Sequence, residues 1–394
     1  MRDWQRNLLL TAASFACAAM LAEVVLRLIW QPGGQQSVIR ADPLYGWALR
    51  PQARMHSVDT DRGLHYSISI NGLGQRDHER PHNKPQGVRR VLFLGDSFIF
   101  GAGVGAEARC TDRLQAALGS QVDIVNAAVS GWGTDQEFLY LCNEGLALQP
   151  DVVVVGLCAL NDVLNNMLSH ELFGTAPKPR FVLQEDRLVL QPAAARARPT
   201  LRARLGPLLR QSRLLHYIVK HGRMLHMRPG TATPRIPAPY YPEDLESDHS
   251  HWAVYRAPYT PRFEAAFRVT EMLIEALQDT CAARDVPVVL FAFPQKVEID
   301  AQARAEELSY YGYDPSQFDL GSPYRRLQSL ADRRQIAFVY PFESFESEHR
   351  HQALFFQRDG HPNAAGHAAA ARALRSVLHA ELERLDHHEV TSRP

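Results

Sequence analysis

The sequence predicts an α/β protein built on a parallel sheet with helices on both faces. From Val88 onwards, short apolar runs alternate with helical segments, as expected when each strand is followed by a crossover helix. The run Val91-Leu92-Phe93-Leu94 contains no polar residue, which is typical of a strand buried on both faces of a sheet. A chain of 394 residues is long enough for one large domain of this class with insertions.

The predicted elements follow one another in a regular order. We predict strands at 91–94, 122–129, 152–157, 286–293 and 336–340. We predict helices at 108–118, 135–148, 262–284, 324–334 and 364–385. Pro150 follows the second helix, since proline cannot continue a helix. These strand–helix units predict one main domain at 88–385, followed by a flexible tail at 386–394.

The N-terminal segment, 1–31, is interpreted as a single membrane-spanning anchor. Residues 7–22 carry no charge. A helix from Leu8 to Trp30 would be about 34 Å long, enough to cross a hydrocarbon core of about 30 Å. Glu23 and Arg27 lie four residues apart, so they can pair near the end of the span. This predicts a catalytic domain outside the cytoplasm, periplasmic if the protein is bacterial. A cleaved signal peptide and a soluble helix are the alternatives.

Two further segments differ in composition from the main domain. Residues 32–87 are rich in turn formers and predict a lead-in segment that packs on the core, with a short strand at 66–70. Residues 165–258 interrupt the strand–helix rhythm and predict a helical insertion. Within it, 187–242 contains eleven Lys and Arg residues and no Asp or Glu. This stretch predicts either a solvated basic face or a surface for anionic lipid headgroups or an acidic glycan.

Composition excludes several classes of function. Lys+Arg and Asp+Glu are both 43, so the formal net charge is zero and nucleic-acid binding driven by global charge is not expected. Hydrophobic residues make up 45% and charged residues 22%, which excludes a mainly disordered chain. The five cysteines show no CxxC or zinc-finger spacing. We therefore expect no metal and no cofactor.

Polar residues and a glycine follow the ends of the predicted strands. Ser97 completes Gly-Asp-Ser after the first strand, Gly131 follows the second, and Asn161 follows the third. Asp359 and His361 stand in the loop before the last helix. Each of them, taken alone, also fits an ordinary turn or helix cap. The carboxyl ends of parallel strands meet at one edge of a sheet, where ligands bind, so we expect these residues to lie together.

The residue types at these strand ends suit general base catalysis and the stabilisation of an oxyanion. Histidine is the natural general base near neutral pH, and a nearby carboxylate can orient its ring. A glycine N–H and an asparagine amide can donate hydrogen bonds to a developing oxyanion.

A metal site is the competing interpretation of the histidine-rich stretches at 248–251 and 349–351. No third ligand stands at a suitable spacing, so these are interpreted as surface histidines.

The four blocks together resemble the SGNH/GDSL hydrolase family. Its serine, glycine, asparagine and Asp/His blocks match Ser97, Gly131, Asn161, and Asp359 with His361. The resemblance covers about 40–165 and 260–380, and the stretches at 71–77 and 98–104 look like the membrane-anchored members. Two positions depart from the family pattern. Ala159 stands where a glycine is usual, and one residue rather than two separates the aspartate from the histidine.

The resemblance implies a three-layer α/β/α, flavodoxin-like fold and a serine mechanism. Ser97, His361 and Asp359 would be the catalytic residues, and Ser97, Gly131 and Asn161 would form the oxyanion hole. We expect a hydrolase of O-acyl groups, chiefly O-acetyl groups of a cell-surface or secreted polysaccharide, or of a small ester. An O-acyltransferase and a non-catalytic glycan-binding or scaffold protein are the alternatives. The oligomeric state is left open.

Overall fold

The computed structural model describes residues 3–29, 37–59, 61–172, 176–193, 212, 214–215 and 251–391. The chain divides into two compact units. One comprises residues 1–36 and 195–234, and the other comprises 37–194 and 235–394.

The first unit contains helix α1, Asp3–Ile29. Glu23 pairs with Arg27 at 2.8 Å and accepts hydrogen bonds from the Ser212 hydroxyl and the Leu214 N–H, each at 2.9 Å. The expected helix forms, but the prediction that it spans a membrane is not supported. In the described ranges, no helix combines the length and the apolar character that a membrane crossing requires.

The second unit contains the strands. In chain order they are β1 (Ile39–Asp42), β2 (Gly46–Leu49), β3 (Arg54–Val58), β4 (His65–Ser69), β5 (Arg89–Gly95), β6 (Val122–Asn126), β7 (Val152–Leu157), β8 (Arg180–Gln184), β9 (Arg187–Gln191), β10 (Val288–Ala292) and β11 (Ala337–Val339). β1 with β2, β3 with β4, and β8 with β9 form three antiparallel pairs. The other five form one parallel sheet in the order β11-β10-β7-β5-β6.

This order confirms the predicted parallel α/β sheet. Numbered along the chain, the five strands follow the order 2-1-3-4-5 of flavodoxin-like sheets. The switch point of such a sheet lies between its first and third strands, here β5 and β7, and a crevice opens there outside their carboxyl ends. Val91–Leu94, Val152–Val155 and Val289–Ala292 are fully buried. Their burial explains the continuous apolar runs in the sequence.

The described helices of this unit are α2 (Ser97–Phe100), α3 (Cys110–Leu118), α4 (Thr134–Asn143), α5 (Ala159–Met167), α6 (Pro261–Ala282), α7 (Lys296–Ile299), α8 (Ala301–Tyr311), α9 (Ser322–Arg334), α10 (Phe342–His349) and α11 (Ala364–Thr391). α3 packs on α11, and α4 and α5 pack on α6. Right-handed crossovers place these two groups on opposite faces of the sheet.

Several elements differ from the sequence predictions. The helix expected at 135–148 ends at Asn143 and is followed by a 3₁₀ turn, Gly145–Leu148. α11 continues beyond its expected end at Leu385 to Thr391. The insertion was expected to be helical, but its segment 176–193 carries the β8–β9 hairpin. Most of the basic stretch lies outside the described residues.

Candidate active site

Ser97 lies at a sharp strand-to-helix turn. β5 ends at Gly95, and Ser97 is the first residue of α2, so its N–H has no acceptor within the helix. Gly95 pairs in register with Gly156 of β7. A Cβ on either glycine would come within 2.6 Å of the Ile99 side chain. The two glycines therefore let Ile99 pack directly beneath the turn that presents Ser97.

His361 meets Ser97 although 264 positions separate them in the sequence. Its Nε2 lies 2.9 Å from Ser97 Oγ, which is hydrogen-bond distance. The Phe98 ring packs beside the imidazole, with 5.4 Å between the ring centroids. The imidazole is partly exposed, at 27% of its side-chain surface, so a substrate can approach it.

Asp359 faces the same imidazole from within its own loop. Its Oδ1 accepts the His361 backbone N–H at 3.1 Å and lies 3.6 Å from His361 Nδ1. Gly360 between them has φ of +74°, a left-handed conformation that glycine adopts without strain. This glycine lets an Asp-x-His spacing fold back on itself. The carboxylate therefore stands at ion-pair distance from the ring, with its hydrogen bond made to the backbone.

Asn161 lies in the first turn of α5 rather than in an isolated turn. Its amide donates a hydrogen bond to Asp96 Oδ2 at 2.8 Å, while Asp96 Oδ1 accepts the Phe98 N–H at 2.8 Å. An asparagine amide has two N–H donors, so one remains beyond the bond to Asp96. Burial raises the pKa of Asp96, and the hydrogen bonds from Asn161 and Phe98 oppose this shift.

Gly131 follows β6 in a loop held by two tryptophans. Its φ is +82°, in the left-handed region, and an added Cβ would lie 3.4 Å from the Trp47 ring. The Trp47 indole donates to the Ser130 carbonyl, and the Trp132 indole donates to the Trp47 carbonyl, each at 3.0 Å. Val129 donates to the Gly95 carbonyl at 3.0 Å. The lead-in segment and the turn before Ser97 therefore both hold this loop.

Buried acids lie close to these elements, and sequence reasoning missed them. Asp162 accepts the Cys158 N–H at 2.7 Å and the Thr134 hydroxyl at 3.0 Å. Burial, and then the neighbouring Asp96 carboxyl, raise the pKa of Asp162 to about 8. Glu137 on α4 is fully buried, and within the described part of the chain neither of its carboxyl oxygens has a hydrogen-bond partner. Burial, and then the carboxyls of Asp162 and Asp96, raise the pKa of Glu137 well above its ordinary value.

The loop that carries His361 is held from outside. Asp61, in the turn between β3 and β4, accepts the N–H groups of Gln357 at 2.6 Å and Arg358 at 3.3 Å. Lys296 donates to the Gln357 carbonyl at 2.8 Å. The sequence could not predict this contact, because its one sign is an aspartate in a turn. Such aspartates usually accept hydrogen bonds within their own turn.

Two of the histidines considered for a metal site, His251 and His349, each contact a carboxylate. His251 bonds Glu307, and His349 Nε2 lies 3.6 Å from Asp300. Over the described ranges, no three His, Cys, Asp or Glu side chains are grouped as metal ligands. Asp248 and His249 lie outside the described residues.

Two family models match the chain. The GDSL-like lipase/acylhydrolase family matches residues 93–317, a range that contains Ser97, Gly131 and Asn161. The SGNH hydrolase-like domain of acetyltransferase AlgX matches residues 251–394, which contain Asp359 and His361. No curated protein matches the sequence significantly.

Solved structures show weaker likenesses. A catalytic variant of Axe2, an acetylxylan esterase from Geobacillus stearothermophilus, is 15% identical, with a TM-score of 0.37 over 73% of this chain and 93% of that chain. TesA is 16% identical, with a TM-score of 0.39 over 74% and 99%. A lipolytic protein of the G-D-S-L family from Veillonella parvula is 12% identical, with a TM-score of 0.37 over 74% and 98%. These TM-scores are too low to assign an activity to this chain.

Proposed function

The chain belongs to the GDSL-like lipase/acylhydrolase family and acts on ester bonds, and from this premise we propose that it hydrolyses O-acyl groups, chiefly O-acetyl groups, of a polysaccharide. The observation that carries the proposal is the 2.9 Å contact between Ser97 Oγ and His361 Nε2. A hydroxyl bonded to an imidazole is the arrangement in which a base removes the proton as the oxygen attacks. Placement of the enzyme outside the cytoplasm stays a prediction.

Ser97 acts as the nucleophile in the proposed reaction. Its Oγ attacks the ester carbonyl carbon while His361 Nε2 accepts the hydroxyl proton. The ester C–O bond then breaks, and the imidazolium returns that proton to the departing alcohol. Water repeats the sequence on the acyl-enzyme and releases the free acid. Asp359, 3.6 Å from His361 Nδ1, stabilises the charged imidazolium.

Three donors are proposed to hold the oxyanion. They are the backbone N–H groups of Ser97 and Gly131 and the Asn161 amide. The first-residue position of Ser97 in α2 and the left-handed backbone of Gly131 support this assignment. The Asp96 carboxylate orients the Asn161 amide before substrate binds. One such donor contributes about 3 kcal/mol in the transition state.

An O-acyltransferase is the second candidate. The match of residues 251–394 to the SGNH hydrolase-like domain of acetyltransferase AlgX favours it, because that range includes the histidine loop. The two candidates differ only in whether water or a sugar hydroxyl attacks the acyl-enzyme. Hydrolysis of p-nitrophenyl acetate with and without an oligosaccharide acceptor separates them, since only a transferase forms an acetylated oligosaccharide.

Labelling with a serine-directed fluorophosphonate tests the nucleophile. We expect the native chain to be labelled and Ser97→Ala to be unlabelled and inactive on p-nitrophenyl acetate. Ser169→Ala, which changes a serine outside the candidate site, is the control and should behave like the native chain. Labelling of the folded Ser97→Ala chain would show that another residue is the nucleophile.

A further inference from the structure

A cavity of about 610 Å³ lies where β11 leads into α10. Its lining includes Leu320, Tyr340, Pro341, Phe342, Glu343 and Ser344. We propose that this β11 cavity binds a neutral sugar unit of the acylated glycan, away from the ester that reacts. The inference rests on the proposed function and names a substrate subsite for it.

The cavity and Ser97 belong to the same edge of the sheet. Both follow the carboxyl ends of parallel strands, and β11 is three strand positions from β5. At about 4.8 Å between neighbouring strands, the two strands lie about 14 Å apart. A bound sugar chain therefore has to extend beyond the unit that carries the reacting ester to reach the cavity.

Ring contacts connect the two places through the packed layer above the sheet. Phe98, beside His361, packs on Phe293, with 5.2 Å between the ring centroids. Phe293 packs on Phe345 of α10 at 5.8 Å. The first residues of this same helix line the cavity. A series of ring contacts therefore leads from the histidine to the helix whose first residues line the cavity.

The Tyr340 ring is held rigidly before any ligand arrives. It stacks on Tyr324, with centroids 3.7 Å apart and planes within 10°. The Tyr340 hydroxyl donates a hydrogen bond to Glu298 Oε2 at 3.2 Å. Glu298 is buried and also accepts hydrogen bonds from the hydroxyls of Tyr255 and Tyr324. A ring fixed in this way loses little conformational entropy when a ligand binds.

The chemistry of the lining suits a neutral sugar. Tyr340, Pro341 and Phe342 supply apolar surface for the C–H face of a pyranose ring, while Glu343 and Ser344 supply polar groups for its hydroxyls. Glu343 is exposed and is the one charged side chain among the described residues that line the cavity. Arg325, next to the lining residue Gly321, is paired with Asp319. An anionic sugar would be repelled by the Glu343 carboxylate. A long acyl chain would contact the apolar residues but would offer no hydrogen-bond partner to Glu343 and Ser344.

The kinetic test uses substrates that reach the cavity and substrates that do not. We would measure kcat/KM on acetylated xylotetraose, p-nitrophenyl acetate and p-nitrophenyl octanoate for the native chain and for Phe342→Ala and Glu343→Lys. Both variants should lose about tenfold on the tetrasaccharide and retain native rates on p-nitrophenyl acetate. Tyr310→Ala, which removes a ring that is 54% exposed and lies outside the cavity, is the matched control and should change neither rate.

Outcomes other than these would contradict the proposal that the β11 cavity binds a sugar unit. Equal losses on the tetrasaccharide and on p-nitrophenyl acetate would mean that the substitutions disturb the catalytic residues. A loss confined to the octanoate would assign the cavity to the acyl chain. If Phe342→Ala and Glu343→Lys are folded and both keep native rates on all three substrates, the cavity has no role in substrate binding. The esterase proposal would still stand in that case. Failure of the native chain to hydrolyse any ester would instead remove the proposed function itself.

Discussion

Asp96 joins the turn that presents Ser97 to the Asn161 amide. One of its oxygens caps α2 through the Phe98 N–H, and the other holds Asn161 on α5. A single buried carboxyl therefore fixes two of the three proposed oxyanion donors relative to each other. Replacing the Asn161 side chain tests its amide as an oxyanion donor, while Ser97 and His361 stay in place.

We expect Asn161→Ala to lower kcat on p-nitrophenyl acetate by about a hundredfold or more, because one oxyanion donor is lost. The chain should remain folded by circular dichroism and should still react with a fluorophosphonate. Asn143→Ala, on the exposed end of α4, is the matched control and should keep the native kcat. A native turnover number in Asn161→Ala would exclude the amide from the oxyanion hole.

The residues of the site were predictable from the sequence to different degrees. Ser97 and His361 stood in motifs that are weak singly, but the four blocks together are specific, so their meeting could be expected. The Asp96–Asn161 bond spans 65 positions and depends on the register of β5 against β7. The burial of Glu137 depends on tertiary packing, and a glutamate in an amphipathic helix usually faces water. No local pattern contains that information.

Among the elements, the β3–β4 hairpin has a defined relation to the candidate site. Asp59 accepts backbone N–H groups from Asp61, Gly63 and Leu64, which fixes the hairpin turn. The turn presents Asp61 to the backbone of the loop that carries His361. The lead-in segment thus holds the backbone of the loop that carries the histidine.

We expect Asp61→Ala to reduce kcat by about ten- to a hundredfold, because a misplacement of about 1 Å has effects of this size. Asp61→Asn keeps one acceptor oxygen and should restore much of the rate that Asp61→Ala loses. Because asparagine is uncharged, such a rescue would show that the hydrogen-bond acceptor, and not the charge, holds the loop. Turnover of p-nitrophenyl acetate and the Tm would be measured for both variants. Asp332→Ala, on the exposed face of α9, is the control. An unchanged kcat in a folded Asp61→Ala chain would show that the loop holds its position without Asp61.

Elements were predictable where burial leaves a simple pattern. The buried parallel strands appear as apolar runs, and β7 was predicted with its observed bounds. The β8–β9 hairpin was missed because its turn is Glu185-Asp186, with φ of 49° and 57°. Such turns normally contain Asn-Gly or Asp-Gly, so the sequence carried no hairpin signal there.

For the whole molecule, buried ionisable groups determine how stability depends on pH. Burial raises the pKa of Glu298 to about 7 and that of Asp162 to about 8. The folded state therefore holds protons that the unfolded state has released, and stability falls as pH rises through these values. Burial lowers the pKa of His367 to about 3, from 6.5, and this has the opposite effect up to pH 6.5. Between pH 6.5 and 8 these carboxyls are ionised in the unfolded chain while the folded chain still holds protons on them, so we expect them to lower the stability as pH rises over this range.

Glu137 allows this linkage to be measured at one position. Its carboxyl is fully buried without a hydrogen-bond partner among the described residues, so ionising it is costly. Glu137→Met, an apolar residue of similar length, removes that cost. Urea unfolding at pH 6.5 and 8 should show that the variant is stabilised relative to the native chain most strongly at pH 8. Its pH slope should be shallower by up to about 1.4 kcal/mol per pH unit, the value for one proton. Glu306→Met, which changes an exposed glutamate on α8, should keep the native slope. A Glu137→Met slope equal to the native slope would mean that Glu137 is ionised to the same extent in the folded and unfolded chains.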